Sequence, residues 1–167
     1  AAGGRTAVAL AGKLLVPGAW FAALAGGMLV VVHRVAGVPM HGSVPLLLAA
    51  ALAFVLSCQA VGVLLVSWTA NLRLATSVAA FYGGVAFAFA GVTFPLGGMP
   101  WAARAWADLL PLTHFVALAF EQAMRAAPPR ESMPELGALT LLVVIPLALA
   151  SLRLGHVLRD ERWWGRL

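Results

Sequence analysis

Charged residues occur at only a few places along this chain, and the stretches between them set its architecture. Residues 14–32, 35–72, 74–103 and 136–152 contain no Asp, Glu, Lys or Arg. An α-helix rises 1.5 Å per residue, so roughly 20 apolar residues cross the ~30 Å hydrocarbon core of a bilayer. The pattern predicts four membrane-spanning helices, over residues 14–35, 43–67, 74–93 and 136–154. Pro17 is expected in the first turn of the first span and Pro45 at the start of the second, where a missing N–H is tolerated. Gly37, Pro39 and Gly42 give residues 36–42 a turn composition. Trp68, Asn71 and Arg73 mark the interface after the second span, with Asn71 placed to cap the third helix.

Beyond the third span the pattern changes. Phe94-Pro95-Leu96-Gly97-Gly98-Met99-Pro100 disfavours helix at four of its seven positions. After Pro100, Trp101, Ala105, Trp106 and Leu109 share one helical face, while Arg104 and Asp108 are spaced to pair on another. Pro111 interrupts again, and residues 112–124 are apolar but too short to span. This predicts a re-entrant or interfacial amphipathic hairpin over residues 94–124, since irregular backbone at membrane depth needs protein or water around it. Residues 125–135 are a polar, Pro-rich solvent loop, and residues 155–167 a tail rich in arginine. The fold class expected is all-α: a polytopic membrane protein with about four transmembrane helices and an extracytoplasmic hairpin. On the third span, Ala75, Ala79 and Gly83, and likewise Ala80, Gly84 and Ala88, recur every four residues, a spacing that lets helices approach closely in lipid.

Composition agrees. Of 167 residues, 62% are hydrophobic and 10% charged, against about 45–50% and about 25% in soluble domains. The net charge is +5, but the basic residues stand singly at the ends of apolar runs. That distribution orients a membrane protein and does not build a phosphate-binding stripe, so nucleic acid is not an expected partner. Arg5, Lys13, Arg73, Arg153, Arg159, Arg162 and Arg166 would lie inside, and Arg34, Arg104, Arg125 and Arg130 outside, with both chain ends cytosolic. Cys58 is the single cysteine, which excludes an internal disulfide and reads as a small buried residue. The first residue is Ala1, and the chain is expected to begin within a longer protein.

Residues 89–115 read FAGVTFPLGGMPWAARAWADLLPLTHF. This resembles the signature of the ABC type-2 exporter permease family, in which a small-Gly pair, a Phe-Pro, a Met-Pro, an external amphipathic helix and a Pro-Leu-Thr-aromatic run follow in order. Ala90-Gly91, Phe94-Pro95, Met99-Pro100 and Pro111-Leu112-Thr113-His114-Phe115 match that order. Residues 37–43 resemble the family's short outer turn, and Trp163-Trp164-Gly165-Arg166-Leu167 fits a cytosolic end. Tyr82-Gly83-Gly84-Val85 departs from the Pro common there, and Phe120 from a common basic residue.

The resemblance implies the last four of six spans of a permease subunit in a bacterial inner (cytoplasmic) membrane. It implies pairing with a second, identical or related permease copy and with a separate ATP-binding ATPase subunit. ATP and Mg²⁺ would be held by that partner, with no cofactor on this chain. Residues 1–13 would be the coupling helix or its end, with Arg5, Lys13 and Arg73 as candidate ATPase contacts. The hairpin would serve as an outer gate, with Phe94, Pro95, Met99, Pro100, Pro111, His114 and Glu121 as its candidate residues.

Reaction motifs are otherwise missing. Gly12-Lys13 lacks the first Gly of a phosphate loop, since Ala7 stands there, and Leu14 replaces its Ser/Thr. The chain is therefore read as a transport subunit and not an enzyme, with no catalytic or metal-ligating residue. Glu121 is an acid in an apolar hairpin, seven residues after His114 on the same helical face, which makes it a functional candidate. The plainer alternatives are solvation at the interface or pairing with Arg125. His33 and Arg34 read as snorkelling residues and His41 as solvated. Two other functions stand beside the exporter. A secondary transporter or channel would carry buried charges near a span midpoint, and here the spans have none. A membrane enzyme would have to use His114, Asp108 and Glu121.

Overall fold

The computed structural model describes residues 2–157, with side chains for residues 12–154; Arg159, Arg162, Trp163, Trp164 and Arg166 lie outside the described residues. Helix α1 spans Ala2–Val30 and runs into a π-helical turn at Val31–Val35. Then follow α2 (Val44–Thr69), α3 (Leu72–Phe89), α4 (Trp101–Ala107), α5 (Pro111–Ala123) and α6 (Met133–Val157). Single 3-10 turns at Leu96–Gly98 and Pro129–Glu131 lie in the connections, and there is no strand among the described residues. Four segments are long and apolar enough to cross a membrane: Gly12–Val35, Val44–Thr69, Leu72–Phe89 and Met133–Leu154. The face carrying the 36–43 turn is called outer below, following the charge asymmetry.

Helix α1 begins well before residue 14, because Ala, Leu and Lys upstream are good helix formers and nothing there breaks the ladder. Pro17 consequently lies inside the helix and not in its first turn. Its ring removes one backbone hydrogen bond at that point. Helix α2 opens as expected: Ser43 caps it, its Oγ accepting from Leu46 N at 3.4 Å, with Pro45 in the first turn. It closes on Ala70, held at φ 47°, and Asn71 at once caps α3 by accepting from Arg73 N at 3.0 Å and Leu74 N at 3.2 Å. The inner loop is therefore only two residues long. Helix α3 ends at Phe89, short of residue 93, because Gly91 adopts φ +82° and turns the chain so that Leu96 packs beneath it.

Helix α2 is the centre of the bundle. It packs most extensively against α6, and also against α5, α1 and α3. Lipid tails are as apolar as leucine, so close van der Waals fit has to hold these helices together. Ala50, Ala60 and Ser57 of α2 are fully buried and let its neighbours approach. The hydroxyls of Ser57 and Ser67 donate back to Phe54 O and Leu64 O, both at 2.8 Å, so neither is left unpaired. Leu46, Leu47 and Ala50 meet Leu118 of α5 and Leu139 of α6 in the core. Phe54 stacks on Phe115 with ring centres 5.0 Å apart.

Outward-facing side chains are large and apolar, with Phe81 74% exposed and Trp20 66% exposed. Such a surface suits lipid tails or further apolar helices and not water. Of the two small-residue rows on α3, Ala75 is buried and Ala79 and Gly83 face α2 and α5 across a cavity, whereas Ala80 and Gly84 face outward.

Helices α4 and α5 form a hairpin that turns back into the bundle. Tyr82 of α3 holds the tip, its hydroxyl 3.5 Å from Leu109 O and its ring edge-on to Trp106 at 6.2 Å. Pro111 and Leu112 line a cavity with Cys58, Val61 and Gly62 of α2 and Ala79 and Gly83 of α3. The far end of α5 returns to the outer turn, where Gly42 N donates to Gln122 O at 2.8 Å.

Candidate functional site

The expected gate residues fall into three places. Phe94, Pro95, Met99 and Pro100 line a shallow cavity of about 360 Å³ with Phe89 and Ala103, at the end of α3. Pro111 is buried at the first turn of α5, where its missing N–H costs nothing. His114 and Glu121 both face the start of α6, as their seven-residue spacing requires.

His114 is held at both ring nitrogens. Nε2 lies 2.8 Å from Asp108 O, and Nδ1 lies 2.6 Å from Glu135 Oε2. A backbone carbonyl only accepts, so the contact with Asp108 O uses a proton on Nε2. The pair is partly shielded, with the side chains 14% and 29% exposed. It ties the hairpin tip and α5 to the first turn of α6. Among the described residues no Arg or Lys pairs with a carboxylate, so the expected Arg104–Asp108 and Glu121–Arg125 pairings do not form. Asp108 instead caps α4 through its backbone N–H to Arg104 O at 2.9 Å.

Eight residues along α5, Gln122 is fully buried and joins four segments. Its Oε1 accepts from Ser43 N at 2.8 Å. Its Nε2 donates to Ala127 O at 3.2 Å and to Ser132 Oγ at 2.9 Å. Ser132 Oγ in turn donates to Glu121 Oε2 at 2.6 Å, which gives Glu121 a hydroxyl partner in place of Arg125. His41 adds Nδ1 to Ala123 O at 3.1 Å, so it is docked and not merely solvated. His33 Nδ1 similarly meets Val38 O at 2.9 Å. Gly42 permits this junction: a Cβ there would lie 2.5 Å from Gln122 Oε1 and 2.7 Å from Gln122 O. The outer turn, the end of α5, the 125–132 loop and the start of α6 are therefore one hydrogen-bonded unit.

Sequence reasoning singled out Glu121 and passed over Gln122, Ser132, Glu135 and Gly42's contact. The only signal for Gln122 was an amide in an otherwise apolar helix beside an acid. Nothing local marks Glu135 as the partner of His114, 21 residues away.

At the opposite end, Lys13 and Arg73 are both exposed. Gly18 of α1 packs against Gln59 of α2, while Leu29 and His33 lie by Val44 and Leu47, so the two helices run antiparallel and Lys13 and Arg73 lie toward the same end. Arg5 falls in α1, and its side chain is outside the described ones. Cys58 proves exposed and lines a cavity between α1 and α2; burial within the bundle fell to Ala60 and Ser57 beside it. No cluster of three His, Cys, Asp or Glu able to hold a metal occurs among the described residues.

Four membrane-length helices around a central α2, with a polar outer junction, define a polytopic helical membrane protein. A family model described as ABC-2 family transporter protein matches residues 2–152, and the chain belongs to that family. It is thus a membrane component of a transport system. No curated protein and no solved structure matches the chain.

Proposed function

We propose that this chain forms half of the translocation pathway of an ATP-driven exporter and couples to a separate ATPase subunit. The observation that carries this reading is the family match across residues 2–152, which takes in three spans, the hairpin and all but the last two residues of the fourth span. The pathway would be completed by a second permease copy in a bacterial cytoplasmic membrane, with both ends of this chain cytosolic. Lys13 and Arg73, exposed toward one end, would meet the ATPase together with Arg5. ATP binding and hydrolysis on that partner would switch the halves between inward- and outward-open states.

The hairpin would act as the outer gate. His114–Glu135 and the Gln122 junction support this, because they couple α5 to both the outer turn and α6. Opening such a gate would break these polar bonds and part Leu118 and Phe115 of α5 from Leu46, Leu47 and Phe54.

The test is gentle detergent purification of the full-length tagged protein from native membranes, with co-purifying proteins identified by mass spectrometry. A stoichiometric protein with a phosphate-loop motif is the expected outcome. Its repeated absence from intact, folded protein would overturn the proposal.

A further inference from the structure

We propose that the cavity between α1 and α2 binds an uncharged amphipathic molecule and that Gln59 is its polar anchor. The cavity measures about 780 Å³, within the ~300–1,000 Å³ range of small-molecule sites. Phe21 and Met28 of α1, Phe54, Cys58 and Gln59 of α2, and Phe115 of α5 are among its walls, and no Asp, Glu, Lys or Arg lines it. A charged ligand would find no counter-ion there, whereas an alkyl chain or ring system would find apolar side chains along the walls.

Gln59 is the exception to that apolar lining. Neither its Nε2 nor its Oε1 has a hydrogen-bond partner, although both atoms are buried. The amide lies against Gly18, where an added Cβ would sit 3.3 Å from both atoms. Ser57 and Ser67 on the same helix satisfy their hydroxyls on the backbone, so within α2 the buried side-chain atoms without a partner are those of Gln59. An amide unpaired in an apolar surround is costly and calls for a partner. A change of Gln59 rotamer turns the group from Gly18 into the cavity, where it offers two donors and an acceptor to a hydroxyl, amide or ester.

Position sets the ligand's orientation. Gln59 lies toward the Thr69 end of α2, and Ala51, also on the wall, lies eight residues, about 12 Å, toward the outer end. The polar group of the ligand therefore points to the inner end and its apolar body outward. Phe115 brings the occupied site into contact with the hairpin through its stack on Phe54. That the bound molecule is cargo rests on the permease reading; that it binds does not.

Photolabelling of the full-length complex in native membrane vesicles tests the site. The probe is dodecanamide with a diazirine at the chain end, and unlabelled dodecanamide and dodecane are the competitors. Label is expected in the α1 and α2 peptides holding Met28 and Phe54, competed by the amide better than by the alkane. Gln59→Leu removes an unpaired amide and should express normally. In it the amide's half-competing concentration should rise about five- to tenfold, while that of the alkane stays put. An unchanged amide competition in Gln59→Leu overturns the proposal, as does label spread evenly over outward residues such as Phe81 and Phe87. A Cys58–Cys58 disulfide between copies under mild oxidation also overturns it, because the groove would then be an interface between two chains. Gln59-dependent binding in a complex that holds no ATPase would keep the site and remove the export reading.

Discussion

Gly42 owes its identity to one neighbour. It sits in a turn, but its backbone does not need the left-handed region; among the described residues Gly37 and Gly91 are the glycines with positive φ. What it needs is room, since a Cβ would meet both the side-chain and the backbone oxygen of Gln122. The side chain can move aside but the carbonyl cannot. Gly42→Ala should therefore cost about 2–3 kcal/mol, read as a lower unfolding temperature in detergent. Gln122→Leu keeps the volume but strands Ser43 N and Ala127 O, while Ser132 Oγ keeps its bond to Glu121. The expected loss is again about 2–3 kcal/mol, and the double variant should lose less than the sum, because both act on one junction. The turn composition of residues 36–42 was legible from Gly37, Pro39 and Gly42. The reason for Gly42 was not, because its partner is 80 positions away and steric contact leaves no local pattern.

At the scale of elements, starts and stops are written in single residues. Asn71 caps α3 with two backbone bonds, and Asn71→Ala should cost about 1 kcal/mol by thermal unfolding. The interior of α3 was legible as an apolar run, but its outer end was not. Val92 and Thr93 are compatible with helix, and Gly91's positive φ is set by the packing of Leu96. Helix α5 is too short to span and is held near one end by His114–Glu135 and at the other by Gln122. Glu135→Gln weakens the first tie from a charge-assisted bond to a neutral one, a loss of about 1–1.5 kcal/mol. Backbone amides of residues 111–123 should then exchange with deuterium about tenfold faster, with α2 unchanged. Equal acceleration in both helices would mean that α5 is part of the rigid core and not a separately movable element.

For the molecule as a whole, the two ends of the bundle differ. One holds the interlocked turn, hairpin and loop; the other presents exposed Lys13 and Arg73. If those cations meet the ATPase, the Lys13→Glu, Arg73→Glu double variant should retain at least tenfold less of it on purification. Arg34→Glu, a control near the other end of α1, should retain it fully. Equal loss in both would assign the effect to misorientation in the membrane. By itself the sequence determined the helical class, the membrane character and the number of spans. Those follow from local quantities: apolar length, charge-free runs and the breakers Pro and Gly. Tertiary structure alone decided that α2 is central, that His114 meets Glu135, that Gln122 joins four segments, and that Gln59 is left unpaired beside a cavity. Each of these depends on which helix faces which. In lipid that choice is made by close fit and a few polar bonds between distant residues, and neither leaves a period in the sequence.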